Sequence, residues 1–528
     1  MDHLGELILG LMIAIAALST VARLINVPYP ILLVVGGVVL GVFPGLPEVE
    51  LDPDLVLVLF LPPLLYAAAF FADLRDLRAN LRPISLLAIG LVVATACGVA
   101  LLAHALIDGM SWGAAFTLGA VVAPTDPLAA AAVARGQGAP RQIINVVEGE
   151  SLINDGTALV LYRAAVAAVV GGSFSLLDAS LEFVLGAVGG VAVGLAVGWP
   201  IAEVRKRLDD PPVEITISLA TGFAAYLPAE QLGLSGVLAA VTAGIYLGWR
   251  APEVSTANMR MQGRPVWELL VFLLNAILFI LIGLQLPIVV DGLGRYSAAE
   301  LAAYAALVYA AVIGIRLAWV NTVPFGVRLL DPRLRRDPDR RSDWRSRLIV
   351  GWSGMRGSVS LAAALAIPLQ TDGGEPFPER NLIIFLAFSV ILASLVLQGL
   401  SLPALMNRLG IHDDGAEERE ELQARIEVAQ AALERLEQLA EEDWTRAETV
   451  ERVRGMYEYR HRRFRARHEG DDSEGIEDRS VAYQQLVRGL LEAQRDAIVR
   501  LRNEGAISSE VMQRIERELD LEDSRLEI

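Results

Sequence analysis

The chain has 528 residues, 54% of them hydrophobic and only 20% charged, with a mean hydropathy of +0.46. That is too apolar for a large soluble enzyme and fits a polytopic membrane protein. A formal charge of −17 argues against a nucleic-acid partner, the single Cys97 excludes a disulfide framework, and the five histidines show no metal-ligand spacing.

A helix crossing the hydrocarbon core needs about 20 apolar residues at 1.5 Å each. Such runs lie near 4–24, 29–43, 54–72, 84–107, 112–134, 142–170, 178–204, 213–228, 234–249, 266–290, 299–323, 347–369 and 380–407, about 13 transmembrane helices. The first opens on "MDHLGE", without the basic start of a leader, and "ALST" is a poor cleavage site. It is therefore expected to persist as a helix.

Loop charge tests this count. One set of alternate loops holds Arg23; Arg75, Arg78 and Arg82; Arg135 and Arg141; Arg205, Lys206 and Arg207; Arg250, Arg260 and Arg264; and the basic "RLLDPRLRRDPDRRSDWRSR". The other set holds Arg295, Arg380 and the acidic "PGLPEVELDPD". Basic loops stay in the cytoplasm, so the N-terminus is expected outside and the C-terminus inside.

The fifth span contains "APTDP", in which Pro124 and Pro127 flank Thr125 and Asp126. Each proline removes a backbone donor and crowds the preceding turn, so the helix should unwind at mid-membrane. Irregular backbone is tolerated at that depth only inside protein or beside a water-filled cavity. Asp126 then reads either as an ion ligand or as the cap of a half-helix.

The sixth span, "NVVEGESLINDGTALVLY", carries the densest polar cluster. Asp155 lies fourteen residues beyond Arg141, about 21 Å along the helix and past half depth. Glu150 and Asn154 are four residues apart, as are Ser151 and Asp155, so all four share adjacent ridges of one face. These hard oxygen donors suit a proton or an alkali cation and not a soft metal. Ionisable groups at such depth usually mark an ion path. Glu148, closer to the cytoplasmic end, reads as a vestibule residue.

In the twelfth span, "LIVGWSGMRGSVSLAAALAIP", Gly351, Gly354 and Gly357 weaken the helix around Arg356. Spans five and twelve are an odd number apart and so run in opposite directions, as interrupted helices of an inverted repeat do in secondary transporters. Arg356 is expected to pair with Glu150 and leave Asp155 free, although charge balance alone also explains it. Arg163 and Arg316 read as snorkelling or interface residues, and Cys97 as packing.

From about Gly410 the character changes. Residues 411–528 hold 31 acidic and 19 basic side chains, with apolar positions at helical spacing until "GDDSEG" interrupts them. This is expected to be a helical cytoplasmic tail, either an assembly element or a regulatory one, its partner undefined. The expected organisation is a transmembrane exchange domain, 1–410, and a tail, 411–528.

"PTDP", "GESLINDGTALVLY", "GMRGSVSLAAALAIP" and the third-span "FLPPLLYAAAF" together resemble the bacterial sodium/proton antiporters of the monovalent cation:proton antiporter superfamily, related to the sodium/hydrogen exchangers. The resemblance covers about residues 5–410. It implies an all-α fold with inverted repeats, two crossed unwound helices, a mobile core and a scaffold for homodimerisation in the plasma membrane. It makes Asp155 the shared cation and proton site. It makes Thr125, Asp126, Ser151 and Asn154 ion ligands or their supports, the cation sitting at Asp155, Ser151 and Thr125, and Glu150–Arg356 a structural ion pair. Asn154–Asp155, in place of two adjacent aspartates, resembles the electroneutral branch. One departure stands out: family members often carry an acid where this chain has Ala67.

The expected function is therefore exchange of Na⁺ or Li⁺ for H⁺, without a cofactor or enzymatic chemistry, in contact with membrane lipid. The absence of a GxxxxGK[ST] loop agrees with transport not driven by ATP. A K⁺/H⁺ antiporter of the same fold remains open, since every candidate ligand is oxygen, and so does a channel or sensor gated by the tail. An intramembrane aspartyl protease using Asp126 and Asp155 is a distant alternative, because "INDG" lacks the glycine pattern around such a catalytic acid.

Overall fold

The structure, a computed structural model, describes residues 2–25, 27–42, 53–171, 176–330, 343–413, 415–470 and 475–526. The acidic "PGLPEVELDPD", the basic segment from Arg328 and "GDDSEG" fall largely outside those residues. All described elements are helical; one isolated antiparallel bridge joins Gln370 to Pro376.

The helices are α1 (Asp2–Leu24), α2 (Tyr29–Val42), α3 (Pro53–Phe70), the short α4 (Leu74–Ala79), α5 (Leu81–Leu106), α6 (Trp112–Val122), α7 (Pro127–Gly136), α8 (Arg141–Val170), α9 (Leu176–Arg205), α10 (Pro211–Gln231), α11 (Gly236–Val254), α12 (Ala257–Asp291) and α13 (Ala298–Leu330). Further along the chain come α14 (Trp344–Trp352), α15 (Ser358–Leu365) and α16 (Arg380–Leu409), and then four tail helices. Each expected span falls on a helix, and the fifth and twelfth are split in two, α6/α7 and α14/α15. Six described stretches are long and apolar enough to cross a membrane by themselves: Leu81–Leu106, Arg141–Val170, Val184–Arg205, Ala257–Asp291, Ala298–Val323 and Arg380–Leu409.

Local chemistry sets the helix starts. The side chains of Ser111, Ser235 and Thr256 each accept a hydrogen bond from the amide three residues on, Ala114, Leu238 and Met259, at 3.2 Å, which satisfies an otherwise orphaned donor. Two segments widen to π-turns, Leu86–Leu91 in α5 and Ser394–Gln398 in α16. Helices α2 and α12 approach at Gly37 and Gly283, where a Cβ would overlap the backbone of Ile280 and Val34 respectively. Small residues permit such close packing where apolar surroundings supply no hydrophobic drive between helices. On α9, Val184, Leu185, Val188, Leu195 and Trp199 are exposed, which suits a lipid-facing helix.

The chain divides into two compact units, Met1–Asp413 and Asp414–Ile528. In the second, α17 (Ala416–Ala440) packs against α18 (Ala447–Glu469), with Arg467–Glu418 at 3.1 Å and Arg454–Glu437 at 3.0 Å. Helices α19 (Ile476–Asn503) and α20 (Ser509–Leu526) bury Leu491, Ile498 and Leu519 between them.

Candidate functional site

Two broken helices meet. Helix α6 ends at Val122, the chain is non-helical through Asp126, and α7 begins at Pro127, a first-turn position where a missing N–H costs nothing. Helix α14 ends at Trp352 and α15 resumes at Ser358. Across the gap the Asp126 amide donates to the Met355 carbonyl at 2.8 Å.

The freed helix ends are satisfied reciprocally. Arg356 Nε donates to the Val122 carbonyl, the end of α6, at 3.1 Å, and Nη1 donates to the Gly354 carbonyl. The backbone amide of Arg356 donates to Ser394 Oγ at 3.0 Å, at the π-turn of α16. In the other direction, Asp126 Oδ2 accepts from the Ser358 amide at 3.2 Å and from Ser358 Oγ at 3.4 Å. A cation thus sits on a helix C-terminus and a carboxylate on a helix N-terminus, the pairing that the helix dipole favours. Asp126 caps a half-helix, but α15 across the gap, not its own. Gly357 is required here because a Cβ would overlap the Asp126 carboxylate.

Helix α8 presents its polar face to this junction. Thr125, Asp126, Ser151 and Asp155 line one cavity of about 470 Å³, together with Ala67, Asn275, Ser358 and Ser360. Among the described residues the Asp155 carboxylate has no hydrogen-bond or ion-pair partner. It feels the negative charges of Asp126 and Glu150. Asn154 is fully buried and stands behind this wall: its Nδ2 donates to Thr125 Oγ1 at 2.7 Å, and Thr125 Oγ1 donates to Glu150 Oε1 at 3.2 Å. Toward the Arg141 end of α8 the cavity is also lined by Asp73, Asp76, Arg135, Glu148, Arg264 and Glu268. There Arg141 pairs with Asp76 at 3.0 Å, and Arg135 pairs with Glu148.

The expected Glu150–Arg356 pair is corrected by the geometry. Glu150 pairs with Arg316 on α13, Nη1 to Oε1 and Nη2 to Oε2 at 2.8 Å, both side chains 1% exposed. Arg316 also donates to the Gly351 and Val350 carbonyls at 3.1 and 2.9 Å, at the end of α14. Arg356 is instead occupied by backbone carbonyls. Arg316 is therefore no snorkelling residue, whereas Arg163 is 40% exposed and pairs with Glu230 at 2.7 Å. Cys97 is exposed and not packed inside.

The family profile described as "Sodium/hydrogen exchanger, transmembrane" matches residues 10–408. The chain belongs to the sodium/hydrogen exchanger family. An uncharacterized Na⁺/H⁺ exchanger of Mycobacterium tuberculosis is 38% identical over 540 residues, 99% of this chain and 98% of the relative. A Na⁺/H⁺ antiporter of Aphanothece halophytica is 34% identical over 81% of this chain and 78% of its own. A sodium, potassium, lithium and rubidium/H⁺ antiporter of Bacillus subtilis is 34% identical over 75% of this chain and 61% of its own. The fold matches that of the sodium proton antiporter MjNhaP1 from Methanocaldococcus jannaschii with a TM-score of 0.60 at 20% identity, covering 77% of this chain and 98% of that one. The chain is thus a member of a membrane transporter family and not of an enzyme family, and its described elements are helical.

Proposed function

We propose that this protein is a secondary antiporter that moves Na⁺ or Li⁺ against H⁺, with cation and proton competing for Asp155. The observation that carries the reading is a carboxylate at mid-helix, without a protein partner among the described residues, in a cavity that also holds Thr125, Asp126 and Ser151. A bare carboxylate in a low-dielectric site is costly, so an occupant must neutralise it, and either a proton or a small cation does so. Movement of the occupied, neutral site across the membrane then couples the two flows without ATP.

Charge supports one proton per cation. Glu150 is balanced by Arg316, Asp126 is engaged at the α15 N-terminus, and Asn154 contributes no charge. That leaves Asp155 as the one titrating ligand of the site, and exchange is electroneutral. Loop charge favours thirteen crossings with the N-terminus outside and the tail in the cytoplasm, and likeness to the exchanger family supports inverted repeats, a plasma-membrane location and a homodimer. In that orientation the Arg141 end of the cavity faces the cytoplasm.

The test is pH-gradient dequenching in proteoliposomes with Na⁺, Li⁺ and K⁺ in turn. Na⁺ and Li⁺ should dequench, and the half-maximal cation concentration should rise by about tenfold per pH unit on the acid side, as competition for one site requires. A failure of every cation to dequench would end the antiport reading. Equal potency of K⁺ would favour the second reading, K⁺/H⁺ exchange, which the Bacillus subtilis relative's name supports.

Ala67 is buried in the cavity wall. Ala67→Glu is expected to lower the half-maximal Na⁺ concentration at alkaline pH by about tenfold, because it adds a carboxylate within reach of the ion. An unchanged value would place position 67 away from the bound cation.

A further inference from the structure

Helix α12 contributes Trp267, Val271 and Asn275 to the cavity, at spacings of four residues and hence along one stripe. Asn275 is the polar member of the deep end of that stripe and is 1% exposed. Its Nδ2 donates to the Val271 carbonyl at 2.8 Å, which fixes the amide plane and leaves Oδ1 as the free end. Oδ1 is buried without a hydrogen-bond partner.

An orphaned buried acceptor in a native core calls for an explanation, because nearly all such groups are satisfied. Packing does not supply one: a leucine would fill the volume without a polar atom. On the facing helix α3 the cavity wall offers Leu64, Leu65, Ala67 and Ala68, which bring no side-chain donor. A lone amide oxygen in a cavity that also holds a carboxylate and hydroxyls suits a hard cation.

We infer that Oδ1 of Asn275 is a direct ligand of the transported alkali cation, supplied from α12 opposite the Asp155 face of α8. This rests on the antiport reading and deepens it. The amide is neutral and does not titrate, so it strengthens cation binding without adding a proton to the cycle. It separates the two competitors: the cation gains a ligand that the proton, held on Asp155, does not use. Asn275 is thereby a determinant of cation affinity and, through the fixed position of its oxygen, of cation size.

The experiment measures Na⁺, Li⁺ and K⁺ titrations of dequenching for the full chain in proteoliposomes, comparing the wild type with Asn275→Leu, Asn275→Ala and Asn275→Asp. Asn275→Leu should raise the half-maximal Na⁺ concentration by about tenfold or more, the scale of one lost contact to an ion. Asn275→Asp keeps an oxygen in place and should retain wild-type or tighter affinity. Should the leucine variant fail to fold, Asn275→Ala carries the same expectation. Wild-type affinities in the leucine or alanine variant would overturn the proposal while leaving antiport intact. Absence of cation-coupled flux in the wild type would overturn the antiport reading itself.

Discussion

Asp155→Asn is expected to reduce cation-coupled proton flux to the level of empty liposomes while leaving insertion and folding intact. The substitution keeps shape and one oxygen but removes the charge that both occupants neutralise. A neutral amide leaves the proton no site and offers the cation no countercharge, so neither half of the cycle proceeds. The structure also indicates why stability should survive. Among the described residues the carboxylate makes no hydrogen bond or ion pair, so nothing structural is severed. It lies within reach of the charges of Asp126 and Glu150, so removing its charge relieves like-charge repulsion. The thermal midpoint in detergent should stay level or rise, the reverse of the usual outcome for a buried polar substitution. Retained exchange would remove Asp155 from the transport site. Lost exchange with a collapsed midpoint would make it a structural residue.

Features that act locally were legible in the sequence. The breaks at 123–126 and 353–357 follow from Pro124, Pro127, Gly354 and Gly357, because ring geometry and a missing side chain act on the chain wherever it folds. The carboxylates of α8 stood out against an apolar background. Helix ends were less legible: α12 begins at Ala257, well before the expected 266. A hydropathy reading finds only the portion in hydrocarbon, whereas the Thr256 cap extends the helix through polar turns. Pairings were not legible at all. Arg316 is 166 residues from Glu150, and nothing near either residue announces the other. One signal existed: Arg316 lies fourteen residues from Leu330, about 21 Å along the helix, too deep to snorkel. The depth argument that singled out Asp155 applies equally to this arginine. Asn275 escaped because a single amide in "FLLNAILF" resembles any tolerated polar residue until its unpaired oxygen is seen.

Arg316→Leu should destabilise the protein more than Arg356→Leu, although the sequence points to Arg356 as the more conspicuous cation. Arg316 engages both oxygens of Glu150 and the two carbonyls at the end of α14, an arrangement that the planar five-donor fork of arginine allows and lysine does not. Its removal strands a carboxylate that is 1% exposed. Breaking a buried pair from one side costs about 3–5 kcal/mol, a large share of the roughly 5–15 kcal/mol that typically holds a domain together. Arg356→Leu leaves Glu150 paired and orphans only backbone carbonyls, an effect of about 1–3 kcal/mol. The decisive measurement is a cycle of thermal midpoints. Glu150→Leu combined with Arg316→Leu should recover stability relative to either single change, because an apolar pair replaces the ionic one. Glu150→Leu combined with Arg356→Leu should simply add. Recovery with Arg356 in place of Arg316 would reverse the assignment of the pair. Additivity in both cycles would mean that Glu150 draws its compensation from elsewhere, with Thr125 Oγ1 as the remaining contact on the cavity side.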